Sequence, residues 1–374
     1  MSEVIIYTIF VFGVVGCIDK VLGNKFGLGE KFEEGFKSMG SLAMSIIGIY
    51  SLAPVISSQL SKIVGPMFNA IGVDPSILPG SILACDMGGY ISAARMARTE
   101  EMGLFSGLIL ASMLGATLVF TIPIGAGVIE KKDQYFFIKG MLSGLITIPV
   151  GCIVGGLLLG IALPKLVINL IPVILMAITL TIGLIKWPNK LINGFNYLSR
   201  LTIIIGAIGL MISIFERISG IAIIPGMEPF DEGIKIVGSI AIVLCGAYPM
   251  MTIITKVFKA PLTRLGEKIG IGENSVAGII ICLANNVPTF MMLKNMDNRG
   301  KVLCSAFAVS GAFTFGGQLG FVASIDKTVI VPFIVSKLVA GMSAVLLAMV
   351  LTRNMRQEKP VREASMEALL MGEV

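Results

Sequence analysis

The sequence predicts an all-α polytopic membrane protein made of two inverted-topology repeats with broken, re-entrant helices. Three observations carry this: hydropathy, an internal echo, and the placement of basic residues. The chain has 374 residues, 55% hydrophobic and 14% charged, with a mean hydropathy of +0.92. Soluble domains do not reach that balance. Residues 32–50, FEEGFKSMGSLAMSIIGIY, return ungapped 198 positions later as 230–248, FDEGIKIVGSIAIVLCGAY, with nine of nineteen residues identical. Average residue usage would give about one. The identities include Gly35/Gly233, Gly48/Gly246 and Tyr50/Tyr248, and Leu83-Ala84-Cys85-Asp86 meets Leu283-Ala284-Asn285-Asn286 further on. A membrane chain built from two such copies is most often a transporter whose site lies where the copies meet.

Eleven apolar segments follow in order. Nine, near 4–19, 36–58, 103–128, 135–162, 164–186, 201–215, 234–258, 302–325 and 330–352, read as full spans, most reaching the roughly 20 residues that cross a bilayer. Two more, 62–96 and 260–295, are interrupted by polar residues. The first segment carries Glu3 in place of a basic n-region and has no small-residue cleavage site, so it reads as a retained span.

Basic residues prefer the cytoplasmic side, and this separates two threadings. If both interrupted segments dip in and return on the same face, the inside loops hold 21 basic residues and the outside loops 7. Full crossings give a much weaker bias. The re-entrant threading puts the N-terminus outside and the C-terminus in the cytoplasm. It also sets the copies in opposite orientations, the arrangement that supports alternating access. The expected organisation is a first repeat over 1–162, a linking span over 163–192, a second repeat over 193–352, and a charged cytoplasmic tail over 353–374 in which Ser365–Leu370 can form a short helix.

Asp74-Pro75-Ser76 and Glu273-Asn274-Ser275 read as helix starts within the interrupted segments. Each apolar stretch then breaks, at Cys85-Asp86-Met87-Gly88-Gly89-Tyr90 and at Asn285-Asn286-Val287-Pro288-Thr289-Phe290. Paired glycines and a proline end helices, and exposed backbone persists at membrane depth only around a protein-enclosed polar site.

Asp86 is the one acid inside an apolar run, where an ionised carboxylate costs about 2.5–3.5 kcal/mol. It reads as a seat for a cationic substrate or a coupling ion; capping a broken helix or pairing with Lys337 is the bland alternative. Asn285, Asn286 and Thr289 can hydrogen-bond a hydroxyl, or simply satisfy loose backbone. Tyr50 and Tyr248, at matched positions, and Tyr90, which closes the first break, can offer ring faces to an ammonium group, with ordinary packing the competing role. Gln318 lies in a glycine-rich span, Phe315-Gly316-Gly317-Gln318-Leu319-Gly320-Phe321, where close helix packing also explains the glycines. Glu33, Glu34, Asp231 and Glu232 precede the second span of each copy and suit helix-start acids.

The six cysteines fall in apolar segments without a C-x-x-C pair and read as small buried thiols, so neither a metal nor another cofactor is expected. The chain has no histidine, which excludes histidine acid–base catalysis and a histidine pH switch. No basic residues cluster with exposed aromatics, so the +6 net charge reads as orientation signal rather than nucleic-acid affinity.

The motifs FEEGF-x-x-MG, LACDMGGY, GAYPM, LANNVP and the stretch from Met296-Asp297 to Arg299-Gly300-Lys301-Val302 resemble the ethanolamine utilisation permease family, from the first span to about residue 352. Where that family's pattern has an acid followed by a histidine, this chain has Gly317 and Gln318. The resemblance implies uptake of ethanolamine through the cytoplasmic membrane into a catabolic pathway. Ethanolamine is a small primary amine, largely protonated near neutral pH. Asp86 and the tyrosines suit its nitrogen, and Asn285, Asn286 or Thr289 its hydroxyl. Carrier, Na⁺- or H⁺-coupled transporter and passive channel all stay open here, as does pairing into a homodimer. An intramembrane enzyme is disfavoured because the sequence offers no histidine, no metal cluster and no second buried carboxylate, and a microcompartment anchor because it would not need two broken helices.

Overall fold

The computed structural model describes residues 2–355, and the described residues form sixteen α-helices with short 3-10 and π-helical pieces and no strand. Eight helical stretches are long and apolar enough to cross a membrane: 2–21, 28–63, 100–128, 131–158, 163–186, 188–219, 230–258 and 327–351. The chain is therefore a multi-pass membrane protein. The tail segment from 356, with its expected helix at 365–370, lies outside the described residues.

Helices α1 (Ser2–Val21), α2 (Leu28–Lys37) and α3 (Met39–Ala70) open the chain. Asp19 shapes the turn after α1, its carboxylate accepting from the N–H groups of Phe26, Leu28 and Gly29. A continuous apolar helix over 100–128 follows the first interrupted segment, beginning as α6 (Glu100–Leu104), π-helical from Phe105 to Gly115 and from Thr117 to Thr121, and ending as α7 (Ile122–Val128). Then come α8 (Gln134–Leu158), α9 (Leu163–Lys186), α10 (Pro188–Ser219) and α11 (Phe230–Ile269). The chain closes through α14 (Asn298–Gly311), α15 (Gly317–Ile325) and α16 (Ile330–Leu351). Helix α1 packs on α11, α10 packs on α3, and α8 lies against α14 and α16. At the crossing of α3 and α10, Gly48 and Gly209 let the backbones touch; a Cβ on either would overlap the other helix. Close packing of this kind is how helices associate without a hydrophobic drive between them.

Both interrupted segments are hairpins whose ends meet. In the first, α4 (Ile77–Ile82) and α5 (Tyr90–Met96) return to their starting level. There the Asp74 carboxylate accepts from the N–H of Ser76 at 3.0 Å and of Arg98 at 3.1 Å, and the Arg98 guanidinium donates to the Val73 carbonyl. In the second, α12 (Glu273–Cys282) and α13 (Asn286–Met292) are closed by Asp297. Its carboxylate accepts from Gly272 N–H, the Ser275 hydroxyl and Gly300 N–H at 2.7–2.8 Å. One aspartate at the start of a hairpin and one at the end of the other perform the same closure.

The hairpin ends lie at opposite ends of the bundle. Arg95 pairs with Glu228, Asn169 accepts from Asp74 N–H, and Lys165 donates to Thr99 at one end. At the other, Lys20 pairs with Glu33, Lys256 donates to the Phe26 carbonyl, and Lys294 faces Glu130 at 3.8 Å. Lys132 beside Glu130 holds that carboxyl below the usual range. A buried ion pair at this end, Lys301 to Asp133 at 2.7 Å, ties the start of α14 to the start of α8. Glu33, Glu34, Asp231 and Glu232 all sit in exposed pairs with lysine or arginine, which adds little stability.

Three sequence expectations meet a different geometry. The span expected over 302–325 is interrupted: α14 ends at Gly311 and α15 begins at Gly317. The second break lies at 283–285, ahead of Pro288, which falls in the first turn of α13, where its missing N–H removes no helical bond. Five cysteines are buried, whereas Cys17 is exposed on α1.

Candidate functional site

Leu83 and Ala84 leave the helix with extended backbones (φ −121°, ψ 142° and φ −67°, ψ 150°). The chain turns back through Cys85–Gly89, where Gly88 takes φ 86°, a conformation that favours glycine. Asp86 therefore stands in the first turn of the returning arm. Opposite it, Asn285 (φ −159°, ψ 131°) breaks the second hairpin and caps α13, its side-chain oxygen accepting from Val287 N–H at 2.9 Å. The break between α14 and α15 completes the enclosure. Phe313, in the left-handed region at φ 60°, donates from its N–H to the Cys282 carbonyl, and Phe315 N–H donates to the Leu283 carbonyl at 2.8 Å. Carbonyls freed by one broken helix are thus satisfied by the other.

A cavity of about 380 Å³ lies among these breaks. Asp86 and Met87 line it from the first hairpin, Ala284 and Asn285 from the second, and Phe313, Gly317 and Gln318 from the α14–α15 break. Tyr248 and Leu244 of α11 face it, as does Phe120, whose ring meets Phe313 edge-on at 5.4 Å. Ser38, Ser41 and Ser45 form a lane along its rim, with Ser41 and Ser45 exposed. Each serine spends its proton on a helix carbonyl, of Gly35, Ser38 and Ser41 respectively, leaving oxygen lone pairs free.

Among the described residues, Asp86 is the one carboxylate lining this cavity. It makes no ion pair among the described residues, and its carboxylate accepts a long hydrogen bond from the Cys85 thiol, at 3.9 Å. Lys337 is fully buried nearby but is engaged elsewhere, donating to the Ser112 carbonyl at 2.8 Å and to Gln318 Oε1 at 2.9 Å. The carboxamide nitrogens of Gln318 and Asn285 make no hydrogen bond among the described residues. The cavity thus combines one anionic acceptor, serine oxygens and two spare N–H₂ donors. That set suits a small molecule with a cationic end and an oxygen.

The expected residues divide. Asp86, Asn285, Tyr248 and Gln318 come together around the cavity. Asn286 does not join them: it is fully buried, its amide nitrogen donating to Thr121 at 3.2 Å while its oxygen has no partner among the described residues. Thr289 is buried too, and its hydroxyl holds the two arms of the second hairpin together through the Gly278 carbonyl at 2.9 Å. Tyr90 packs edge-on against Phe321 at 6.2 Å, and Tyr50 lies away from the lining. Sequence reasoning missed the serine lane and the Phe120–Phe313 pair. The lane had a signal, since 38, 41 and 45 share one helix face.

The family model described as "Ethanolamine utilisation protein, EutH" matches residues 1–351. A protein of Listeria monocytogenes serotype 1/2a named "Probable ethanolamine permease EutH" is 45% identical over 97% of both chains. The Bacillus subtilis protein YxeR, uncharacterized by name, is 42% identical over 96% of this chain and 98% of its own. A Salmonella typhimurium protein with the same permease name as that of Listeria is 37% identical over 94% of this chain and 95% of its own. No solved structure matches the chain.

Proposed function

Because this chain belongs to the EutH family of ethanolamine utilisation proteins, we propose that it is a carrier that takes up ethanolamine across the cytoplasmic membrane. The protonated amine rests on Asp86, and the hydroxyl reaches the free amides of Asn285 and Gln318. One observation carries this reading: a carboxylate with no ion pair among the described residues shares a cavity with spare amide donors. An ammonium group restores the partner the carboxylate lacks. The aromatic face of Tyr248 adds a second surface for the cation.

The architecture behind it is a pair of inverted repeats, 1–162 and 193–352, joined by the span at 163–192. Nine crossings, counting the broken 298–325 stretch, and two re-entrant hairpins account for the chain. Support comes from the hairpin closures at opposite ends of the bundle. The serine lane runs toward the end that holds Lys20, Glu33 and Lys256, which the basic-residue rule assigns to the cytoplasm. In this reading the conformation is inward-open.

The cavity offers one carboxylate and no histidine, so a coupling cation and the substrate would compete for Asp86. Uptake is accordingly expected to be saturable and independent of Na⁺ and H⁺ gradients. Labelled ethanolamine uptake by the purified protein in proteoliposomes, with each gradient imposed in turn, tests this. Counterflow driven by internal ethanolamine supports a carrier; its absence alongside non-saturating flux points to a channel, and stimulation by one gradient to coupling.

A further inference from the structure

Lys337 has no place in the site as described, yet it is among the largest fully buried side chains of the protein and sits mid-helix in α16. A lysine in an apolar span is costly unless its protons find acceptors. Here they find two, the Ser112 carbonyl at 2.8 Å and Gln318 Oε1 at 2.9 Å, with the Phe333 ring 5.4 Å away. The second bond fixes more than the lysine. A carboxamide has one accepting and one donating end, and here the lysine Nζ donates to the accepting end. With Oε1 held by Nζ, the Gln318 amide cannot turn its oxygen to the cavity. The N–H₂ end, which has no partner among the described residues, is the end presented there.

We infer that Lys337 is a positioning residue for substrate recognition: it orients Gln318 so that the cavity carries a hydrogen-bond donor for a substrate oxygen. Resting on the ethanolamine reading above, this names what is selected, an amine with an acceptor oxygen near its nitrogen. A plain alkylamine leaves the donor unpaired. The cavity, at about 380 Å³, is far larger than a four-heavy-atom ligand, so fit alone does not exclude ethylamine. An unpaired donor does, because leaving a buried polar group unsatisfied is penalised beyond the loss of the bond itself.

The test is the preference for ethanolamine over ethylamine, measured as competition against labelled ethanolamine uptake in proteoliposomes. Gln318→Leu removes the donor. Gln318→Glu keeps size and the Lys337 contact but presents only acceptors, which guards against misfolding of the first variant. Each is expected to lower the preference about tenfold. Lys337→Met is expected to lower it as well, by freeing the amide to turn, and to add nothing in the Gln318→Leu background. A role confined to stability would reduce uptake of both amines alike and leave their ratio unchanged. Wild-type preference in Gln318→Leu or Gln318→Glu, or additive effects of Lys337→Met and Gln318→Leu, would overturn the inference while leaving the carrier reading intact. Absence of ethanolamine uptake by the unmodified protein would overturn both.

Discussion

Replacing Asp86 with Asn tests the centre of the proposed site, because it keeps shape and removes only charge. Asp86 lines the cavity with no cation within ion-pair distance among the described residues, so a bound ammonium would be its one ion-pair partner there. Two unit charges about 3 Å apart at an effective dielectric near 20 attract by about 5 kcal/mol. Dehydrating the ammonium opposes this, and the asparagine oxygen still accepts one neutral hydrogen bond. Charge-assisted hydrogen bonds contribute about 1.5–3 kcal/mol net. The expected loss is therefore about 3 kcal/mol, roughly a hundredfold in affinity. Stability should move the other way or not at all, since a neutral amide escapes the cost of a carboxylate at membrane depth. The assay is ethanolamine-dependent thermal stabilisation of detergent-purified protein, with uptake in proteoliposomes alongside. An Asn variant with unchanged affinity refutes the placement of the amine. A variant that melts well below wild type assigns Asp86 to capping the broken helix instead.

Four further outcomes follow from the geometry. Asp297→Ala removes three hydrogen bonds that close the second hairpin and should cost about 2–4 kcal/mol, read as a lowered melting temperature that ethanolamine does not restore. Asp133→Ala strands Lys301 in a buried site and should cost about 3–5 kcal/mol, whereas the double change Asp133→Leu with Lys301→Met should recover most of it; equal melting of the two would discount the pair. Asn285→Ala loses the cap on α13 and should cost about 1 kcal/mol of stability while also weakening ethanolamine binding. Glu100→Cys and Lys294→Cys, beside the mouths of the two hairpins, should label with an impermeant maleimide from opposite sides of the membrane. Labelling from the same side would end the inverted-repeat reading.

Both hairpins were legible in the sequence because polar punctuation is conspicuous in apolar surroundings. Asp74, Gly88-Gly89 and Asn285-Asn286 each interrupt a run that composition alone would make a plain span. The break at 312–316 was less legible, since close helix packing also explains Gly316-Gly317 and the preceding Ala312-Phe313-Thr314-Phe315 is largely apolar. What ends the helix there is tertiary pairing of Phe313 and Phe315 with the second hairpin's free carbonyls, which overrides local propensity. The π-helical winding of 105–121 had no sequence signal either. Lys337 and Gln318 are 19 residues apart, on different helices, and only the fold makes them neighbours.

Tyr50 and Tyr248 occupy matched positions in the two copies, yet only Tyr248 lines the cavity. The serine lane is asymmetric too. Ser38, Ser41 and Ser45 of the first copy correspond at the 198-residue spacing to Ile236, Ser239 and Val243, so the second copy keeps one of the three hydroxyls, and none of its three residues lines the cavity. A similar replacement separates Asp86 from the second hairpin. Its sequence counterpart Asn286 is buried away from the cavity, and Asn285, one residue earlier, takes the lining position. An inverted pair with identical halves would place two carboxylates in one cavity, where mutual repulsion would hold one of them protonated. With Asn285 across from Asp86, the cavity holds a single negative charge and a neutral donor. That pairing matches one singly charged amino alcohol and leaves no second anion to retain it when the site turns to the other side.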